Sequence, residues 1–165
     1  MRFAPAAAAL SLCLAMTASI SSASAGRAAD PRAAALIAQG QTALRAGETE
    51  AAIDAFEAAL AVDPGHTPIF IDLAQAARQQ GLQGKAIRYY RDALAREPAN
   101  FAAIAGEGSA LVEKGALEKA RRNLAKLQSL CGDTCPETVA LQSSIARGPS
   151  PRLAVESKAD AAISN

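Results

Sequence analysis

The sequence has 165 residues, enough for one domain, and 50% of them are hydrophobic, with alanine dominant and tryptophan absent. It has 17 lysines and arginines against 16 aspartates and glutamates, so it lacks the strongly basic composition of a nucleic-acid binder. Because alanine favours helices, and the β-branched and aromatic residues that favour strands are sparse, the composition predicts an all-α protein.

The N-terminal segment, positions 1–25, is predicted to be a signal peptide for export. Arg2 precedes an apolar run over residues 4–18, and Ala23-Ser24-Ala25 forms a small-residue cleavage site. The apolar run is shorter than the roughly 20 residues that a membrane-spanning helix needs. We therefore expect cleavage near Ala25 and a periplasmic or secreted protein without stable membrane insertion. Residues 26–32 would then form a short lead-in.

The first helix of the exported chain is predicted from its two ends. Asp30 can accept a hydrogen bond from an amide of the first turn, and Pro31 has no amide to leave unsatisfied. The helix should run to about Ala46, where Gly47 ends it in a left-handed conformation. A second helix should follow to about Val62, since its apolar residues recur at helical spacing.

This pair of helices recurs along the chain at a fixed interval. The repeated positions are Ala52, Phe56, Ala59 and Pro64, then Ala86, Tyr90, Ala93 and Pro98, and more loosely Ala120, Leu124, Leu127 and Gly132. Gly47, Gly81 and Gly115 keep the same interval. A fixed period of about 34 residues indicates stacked supersecondary units. We expect units at residues 33–66, 67–100 and 101–134.

The chain changes character after the third unit. Arg121 and Gln128 interrupt the apolar stripe of that unit's second helix, as a terminal repeat permits. Residues 136–146 are predicted to form a further helix that covers its exposed side. From residue 147 the segment contains Gly148-Pro149-Ser150-Pro151 and then polar and alanine residues, so residues 147–165 are expected to form a disordered tail.

The period and its small, aromatic and proline positions resemble the tetratricopeptide repeat family over residues 33–146. The resemblance implies a right-handed α-solenoid of three helical hairpins plus a C-terminal capping helix. It also implies that the first (A) helices of the hairpins line a concave groove, which holds a peptide or helix of a protein partner. The groove positions carried over from the family are Ile37, Gln41, Leu44, Ile71, Gln75, Arg78, Ala105, Ser109 and Val112.

The polar groove positions are the stronger candidates for partner contact. The amide and guanidinium groups of Gln41, Gln75 and Arg78 can hydrogen-bond a peptide backbone. The aliphatic positions either anchor a bound helix or pack against the neighbouring helix. A related group of chaperone adaptors holds a C-terminal carboxylate with lysine and asparagine, and this sequence lacks that clamp. The matching positions are Ile37, Gln41, Asp72, Ala102 and Gly106.

Two cysteines remain after the signal peptide, Cys131 and Cys135, and in an exported protein they predict one disulfide. It would secure the turn where Gly132 replaces the closing proline. An alternative is a thiol or copper-handling protein, because this spacing followed by proline resembles the metal motif of copper-assembly proteins. Those sites need a histidine, and His66 lies in the turn of the first unit. We favour the disulfide, with no metal or cofactor.

The sequence contains no phosphate loop, no nucleophile elbow and no paired histidines. The segment Gly106-Glu107-Gly108-Ser109 falls inside a predicted helix, where Gly108 holds a small packing position. We therefore expect a non-catalytic protein-protein interaction scaffold of the bacterial cell envelope, with a protein or peptide partner and no nucleic acid. An alternative is an assembly factor for an envelope machine such as a pilus or secretion system. The sequence does not predict an oligomeric state.

Overall fold

A computed structural model describes residues 27–149 of the protein. Over that range it contains seven α-helices and no strand, which confirms the all-α prediction. The helices are α1 (Pro31–Ala46), α2 (Thr49–Val62), α3 (Pro68–Gln79), α4 (Gln83–Arg96), α5 (Phe101–Glu113), α6 (Leu117–Cys131) and α7 (Pro136–Arg147). The predicted signal peptide at residues 1–25 and residues 150–165 of the predicted tail lie outside the described residues, while Arg147, predicted to begin the tail, is the last residue of α7. None of the described helices is long and apolar enough to cross a membrane.

The helices form an α-solenoid of three hairpins. α1 pairs with α2, α3 with α4, and α5 with α6, and each second (B) helix then packs against the A helix of the next unit. Successive A helices also contact one another, α1 with α3 and α3 with α5. α7 packs on both α5 and α6, so it covers the third hairpin as a capping helix.

Of the seven described helices, α1 and α5 have a side-chain cap at the N-terminus. Asp30 Oδ1 accepts from the Arg32 amide at 2.9 Å, and Asn100 Oδ1 accepts from the Ala103 amide at 3.0 Å. Thr67, in the place of a cap for α3, makes no side-chain hydrogen bond to that helix. Pro68 follows it, and its missing N–H reduces the need for a cap. Gly47 adopts a φ of 80°, the left-handed conformation expected at the end of α1.

Glycine allows two pairs of helices to approach closely. A Cβ at Gly40 would lie 2.5 Å from the ring of Phe56, and a Cβ at Gly108 would lie 2.6 Å from Leu141. At both positions the facing side chain would have to move to admit a larger residue. Gly108 therefore serves helix packing, as the sequence predicted, and the segment around it is part of α5.

The core consists of three adjoining clusters that follow the units along the chain. The first lies mainly among α1, α2 and α3, the second among α3 to α6, and the third among α5, α6 and α7. Leu60 and Tyr89 touch the first two clusters, and Leu94 and Ile145 touch the last two. The third cluster is the smallest, because α6 buries only Ala120 and Leu127.

Candidate functional site

The partly exposed side of the A helices forms two rows of equivalent positions, one from each repeat. The first row is Ile37, Ile71 and Ala105, and the second is Gln41, Gln75 and Ser109. The same register reaches α7, where it adds Val139 to the first row and Ser143 to the second. Val139 is 47% exposed. The A-helix face, which we define as these two rows, therefore extends one helix further than the sequence predicted.

Two of the predicted groove positions are corrected by the structure. Leu44 and Val112 are only 8% and 1% exposed, and they belong to core clusters. Each packs between the helices of its own and the neighbouring unit, so neither presents a surface to a partner. Ile71 also packs against a core cluster but keeps part of its surface exposed.

The guanidinium of Arg78 is partly buried and is bound by a carboxylate of the third unit. Its Nε donates to Glu113 Oε2 at 3.1 Å, and its second nitrogen donates to Glu113 Oε1. Burial opposes the charge of Arg78, but the hydrogen-bonded carboxylate of Glu113 holds the pKa of Arg78 above its ordinary value. This two-point ion pair joins the second unit to the third, a role that the sequence reasoning missed.

Gln41 makes a similar connection between the first and second units. Its Nε2 donates to Asp72 Oδ2 at 3.4 Å. Burial raises the pKa of Asp72 to about 6, against the opposing effects of the Gln41 hydrogen bond and the nearby His66. Of the three polar candidates only Gln75 is fully on the surface, because Gln41 and Arg78 each hold a carboxylate of the next unit.

A shallow depression surrounds Gln75 at the centre of the A-helix face. It is lined by Gln75, Arg78, Gln79 and Glu113. Since the ion pair neutralises its own charges, the free groups here are side-chain amides, which can both donate to and accept from a peptide backbone. The two rows themselves contain only aliphatic, amide and hydroxyl side chains.

Gly106 lies next to the first row and faces Tyr90. A Cβ at Gly106 would lie 2.3 Å from the Tyr90 ring, and Tyr90 is only 1% exposed. No larger side chain can occupy position 106 without displacing this ring. One position of the carboxylate clamp is thus closed to a basic residue by packing.

Sequence comparison identifies the repeats. Tetratricopeptide repeat family models match residues 33–76 and residues 67–100. Residues 33–100 are tetratricopeptide repeats. A search of the curated proteins found no match to the sequence.

Solved structures share the tetratricopeptide fold with this chain. The first TPR of Spaghetti (RPAP3), bound to the HSP90 peptide SRMEEVD, is 20% identical, with a TM-score of 0.64 over 73% of this chain and 97% of that chain. The Sgt2 TPR domain from Aspergillus fumigatus is 21% identical, with a TM-score of 0.65 over 73% of this chain and 81% of that chain. At such low identity the likeness establishes the fold.

The two cysteines meet in the turn between α6 and α7. Their sulfur atoms are in bonding contact, and their Cα atoms are 5.8 Å apart, within the usual range for a disulfide. His66 lies in the turn between α2 and α3. Among residues 27–149, no three histidine, cysteine or acidic side chains come together as a metal site would need.

Proposed function

We propose that the protein is a non-catalytic protein-protein interaction scaffold of the bacterial cell envelope, which binds a peptide or a helix of a protein partner along its A-helix face. One observation carries this proposal: four successive A-type helices present partly exposed aliphatic and uncharged polar side chains in register. Such a surface offers apolar anchors at one row and backbone hydrogen-bonding groups at the next.

The chemistry of the face indicates the kind of segment that it binds. Its rows carry no charge, and the ion pair of Arg78 with Glu113 is internally neutral. The HSP90 peptide in the Spaghetti structure, SRMEEVD, is acidic and ends in a carboxylate. The present chain has Ile37, Asp72 and Gly106 at clamp positions, so we expect a partner segment of low net charge that is recognised along its length.

The proposed location in the envelope is supported by the predicted signal peptide and by the paired cysteines. A disulfide persists in an oxidising compartment such as the periplasm. The turn between α6 and α7 brings Cys131 and Cys135 to bonding contact. These observations fit an exported scaffold, and they also fit service in the assembly of a larger envelope machine.

A charge introduced at Gln75 tests the face. In capture experiments from periplasmic extract, Gln75→Glu should recover the wild-type partner several-fold less, because an uncharged partner would cover the introduced carboxylate without supplying a cation for it. Gln39→Glu is the matched control, since Gln39 is exposed on α1 and lies outside both rows. The captured partner is then identified, and its affinity for the purified variants is measured by calorimetry.

The result depends on the contrast between the two variants. Loss with Gln75→Glu and retention with Gln39→Glu places the partner on the A-helix face. Equal affinity of wild type and both variants would refute this assignment of the binding surface. Circular dichroism of each variant excludes unfolding as the cause of a loss.

A further inference from the structure

A small depression lies between the second and third units, where α4 meets the turn from α5 to α6. Its floor is formed by Ile87 and Leu111, and its rim includes Gly84, Arg91 and the lysines at positions 114 and 119. None of its lining residues is a carboxylate. Three cations therefore surround one depression.

The repeat provides an internal comparison for this place. The corresponding positions between the first and second units, one period earlier, are Glu50, Glu57, Gln80 and Lys85. There Gln80 Nε2 donates to Glu50 Oε1, so a carboxylate of the first unit bonds to the turn of the second. The protein supplies its own anion at this first junction.

The second junction has lost that anion and gained positive charge. Gly84 replaces Glu50, Arg91 replaces Glu57, and Lys114 replaces Gln80. Two carboxylates and one ammonium group at the first junction thus become three cationic groups at the second, because the lysine at position 119 matches Lys85. The side chain that is missing at Gly84 also leaves the space open.

The cations of the second junction are available to a ligand. The Nζ of Lys114 lies 4.0 Å from the place where a Cβ of Gly84 would stand, so it faces the position that Glu50 fills in the first junction. Neither Lys114 nor Lys119 forms an ion pair with a carboxylate of residues 27–149. Arg91 is held by one bond, from Nε to Glu107 Oε1 at 2.7 Å, which leaves its other N–H groups free of Glu107.

The start of α4 adds to the positive potential. This helix has no acidic residue in its first turn, and its N-cap residue, Leu82, makes no side-chain hydrogen bond. The positive end of the helix dipole and the ammonium group of Lys114 therefore lie together without a compensating charge. An anion would lower the energy of both.

We propose that this depression binds a compact oxyanion, a phosphate ion or a phosphate monoester, at the position that the Glu50 carboxylate occupies in the preceding junction. Phosphate suits the site because it carries up to two negative charges and offers several acceptor oxygens to ammonium and guanidinium donors. The anion would then bridge the second and third units, as Glu50 and Gln80 bridge the first and second. This inference is independent of the proposed partner-binding face.

Two substitutions copied from the first junction test the proposal. Gly84→Glu supplies the carboxylate, and the open space around Gly84 together with the start of α4 should accommodate it. Lys114→Gln reproduces the residue of the first junction and removes one cation. Arg88→Gln is the matched control, because Arg88 is an exposed cation of α4 outside the lining of the depression.

Phosphate binding is measured on the full chain by calorimetry, and by the rise in Tm with inorganic phosphate against chloride at equal ionic strength. Wild type and Arg88→Gln should show the same rise. Lys114→Gln should bind about two- to fivefold more weakly, the loss expected for one partly exposed ion pair. Gly84→Glu should show no phosphate response and a higher Tm without phosphate.

Either of two outcomes would overturn the proposal: an equal phosphate response in wild type and Gly84→Glu, or an equal loss in Arg88→Gln and Lys114→Gln. Vesicles containing phosphatidic acid distinguish the source of the phosphate. Vesicle binding that Gly84→Glu abolishes assigns the site to a lipid headgroup. A phosphate response without vesicle binding assigns it to a free phosphate or a soluble monoester.

Discussion

At the scale of one residue, Asp72 shows how burial changes the pH at which a carboxyl group ionises. Its carboxylate is partly buried between the first and second units, and one amide hydrogen bond from Gln41 is its partner. Burial disfavours the charged form more than that bond and the nearby His66 favour it, so the pKa of Asp72 rises to about 6. The side chain therefore changes charge in mildly acidic solution.

The raised pKa of Asp72 predicts a loss of stability with rising pH. Between its unfolded pKa near 3.8 and its folded pKa near 6, the unfolded state has released the proton that the folded state keeps. Because the unfolded state then binds fewer protons, the free energy of unfolding falls across this window. The difference between the two pKa values limits the effect to about 3 kcal/mol. Above pH 6 both states are ionised and the contribution is constant.

Asp72→Asn should remove this dependence, and the variant should be more stable than wild type at pH 7. Urea unfolding at several values between pH 4 and pH 7 gives the difference between the two proteins, which cancels the titration of other groups. Asp54→Asn, at an exposed position of α2, is the control and should follow wild type. Parallel curves for wild type and Asp72→Asn would show that burial does not disfavour the charge.

At the scale of one element, α7 occupies the place of a fourth A helix in the repeat register. Pro136 matches Pro68 in the repeat register, and Thr138 takes the position of Phe70. Thr138 is fully buried, and its hydroxyl lies 3.6 Å from the Cys131 sulfur. Leu141 fills the space over Gly108. α7 thus supplies apolar contacts to the third core cluster, in which α6 buries only Leu127.

Removal of the cysteine pair should loosen α7 first. A disulfide that closes so short a ring would contribute about 2 kcal/mol by restricting the unfolded chain. We expect the variant Cys131→Ser, Cys135→Ser to lose that much stability and to exchange the amides of α7 faster, as measured by hydrogen exchange and mass spectrometry. The exchange of α1 and α2 should not change, because α7 does not pack against them.

Thiol titration of the denatured protein, purified from the periplasm without reductant, checks the premise of this prediction. A disulfide leaves no free thiol from Cys131 and Cys135. Two free thiols would contradict the proposed bond, and equal stability of wild type and the double variant would contradict its predicted contribution to stability.

At the scale of the whole molecule, the sequence predicted the array but not the connections between its units. The repeat period and the glycine and proline positions determine where each helix begins and ends, since these depend on local chemistry. The pairs Gln41 with Asp72 and Arg78 with Glu113 depend on side chains that reach between units. Burial of Leu44 and Val112 depends on the helix that packs on them, which periodicity does not specify.

Overall composition also concealed the distribution of charge. The near-balance of 17 basic and 16 acidic residues arises from segments of opposite sign. α2 carries three acidic residues and no basic one, whereas α4 and α6 each carry four basic residues against one acidic. A site such as the cation-lined depression can therefore exist in a chain of almost no net charge.

The stacked architecture predicts that stability decreases from the centre toward the C-terminal end. Each unit contacts mainly its neighbours, so a terminal element can open while the centre stays folded. Leu73, in α3 of the second hairpin, is 1% exposed, and Leu141, in α7 at the C-terminal end of the described residues, is fully buried. Either substitution to alanine should cost about 2–5 kcal/mol locally. The two substitutions should differ in which helices they destabilise.

Leu141→Ala should speed amide exchange in α7 and in the facing parts of α5 and α6, and leave α1 and α2 as in wild type. Leu73→Ala should speed exchange throughout residues 31–147, because α3 contacts both the first hairpin and the third. Hydrogen exchange followed by mass spectrometry separates the two patterns peptide by peptide. If Leu141→Ala sped exchange equally in all helices, the array would unfold as one cooperative unit, and the nearest-neighbour account of its stability would be wrong.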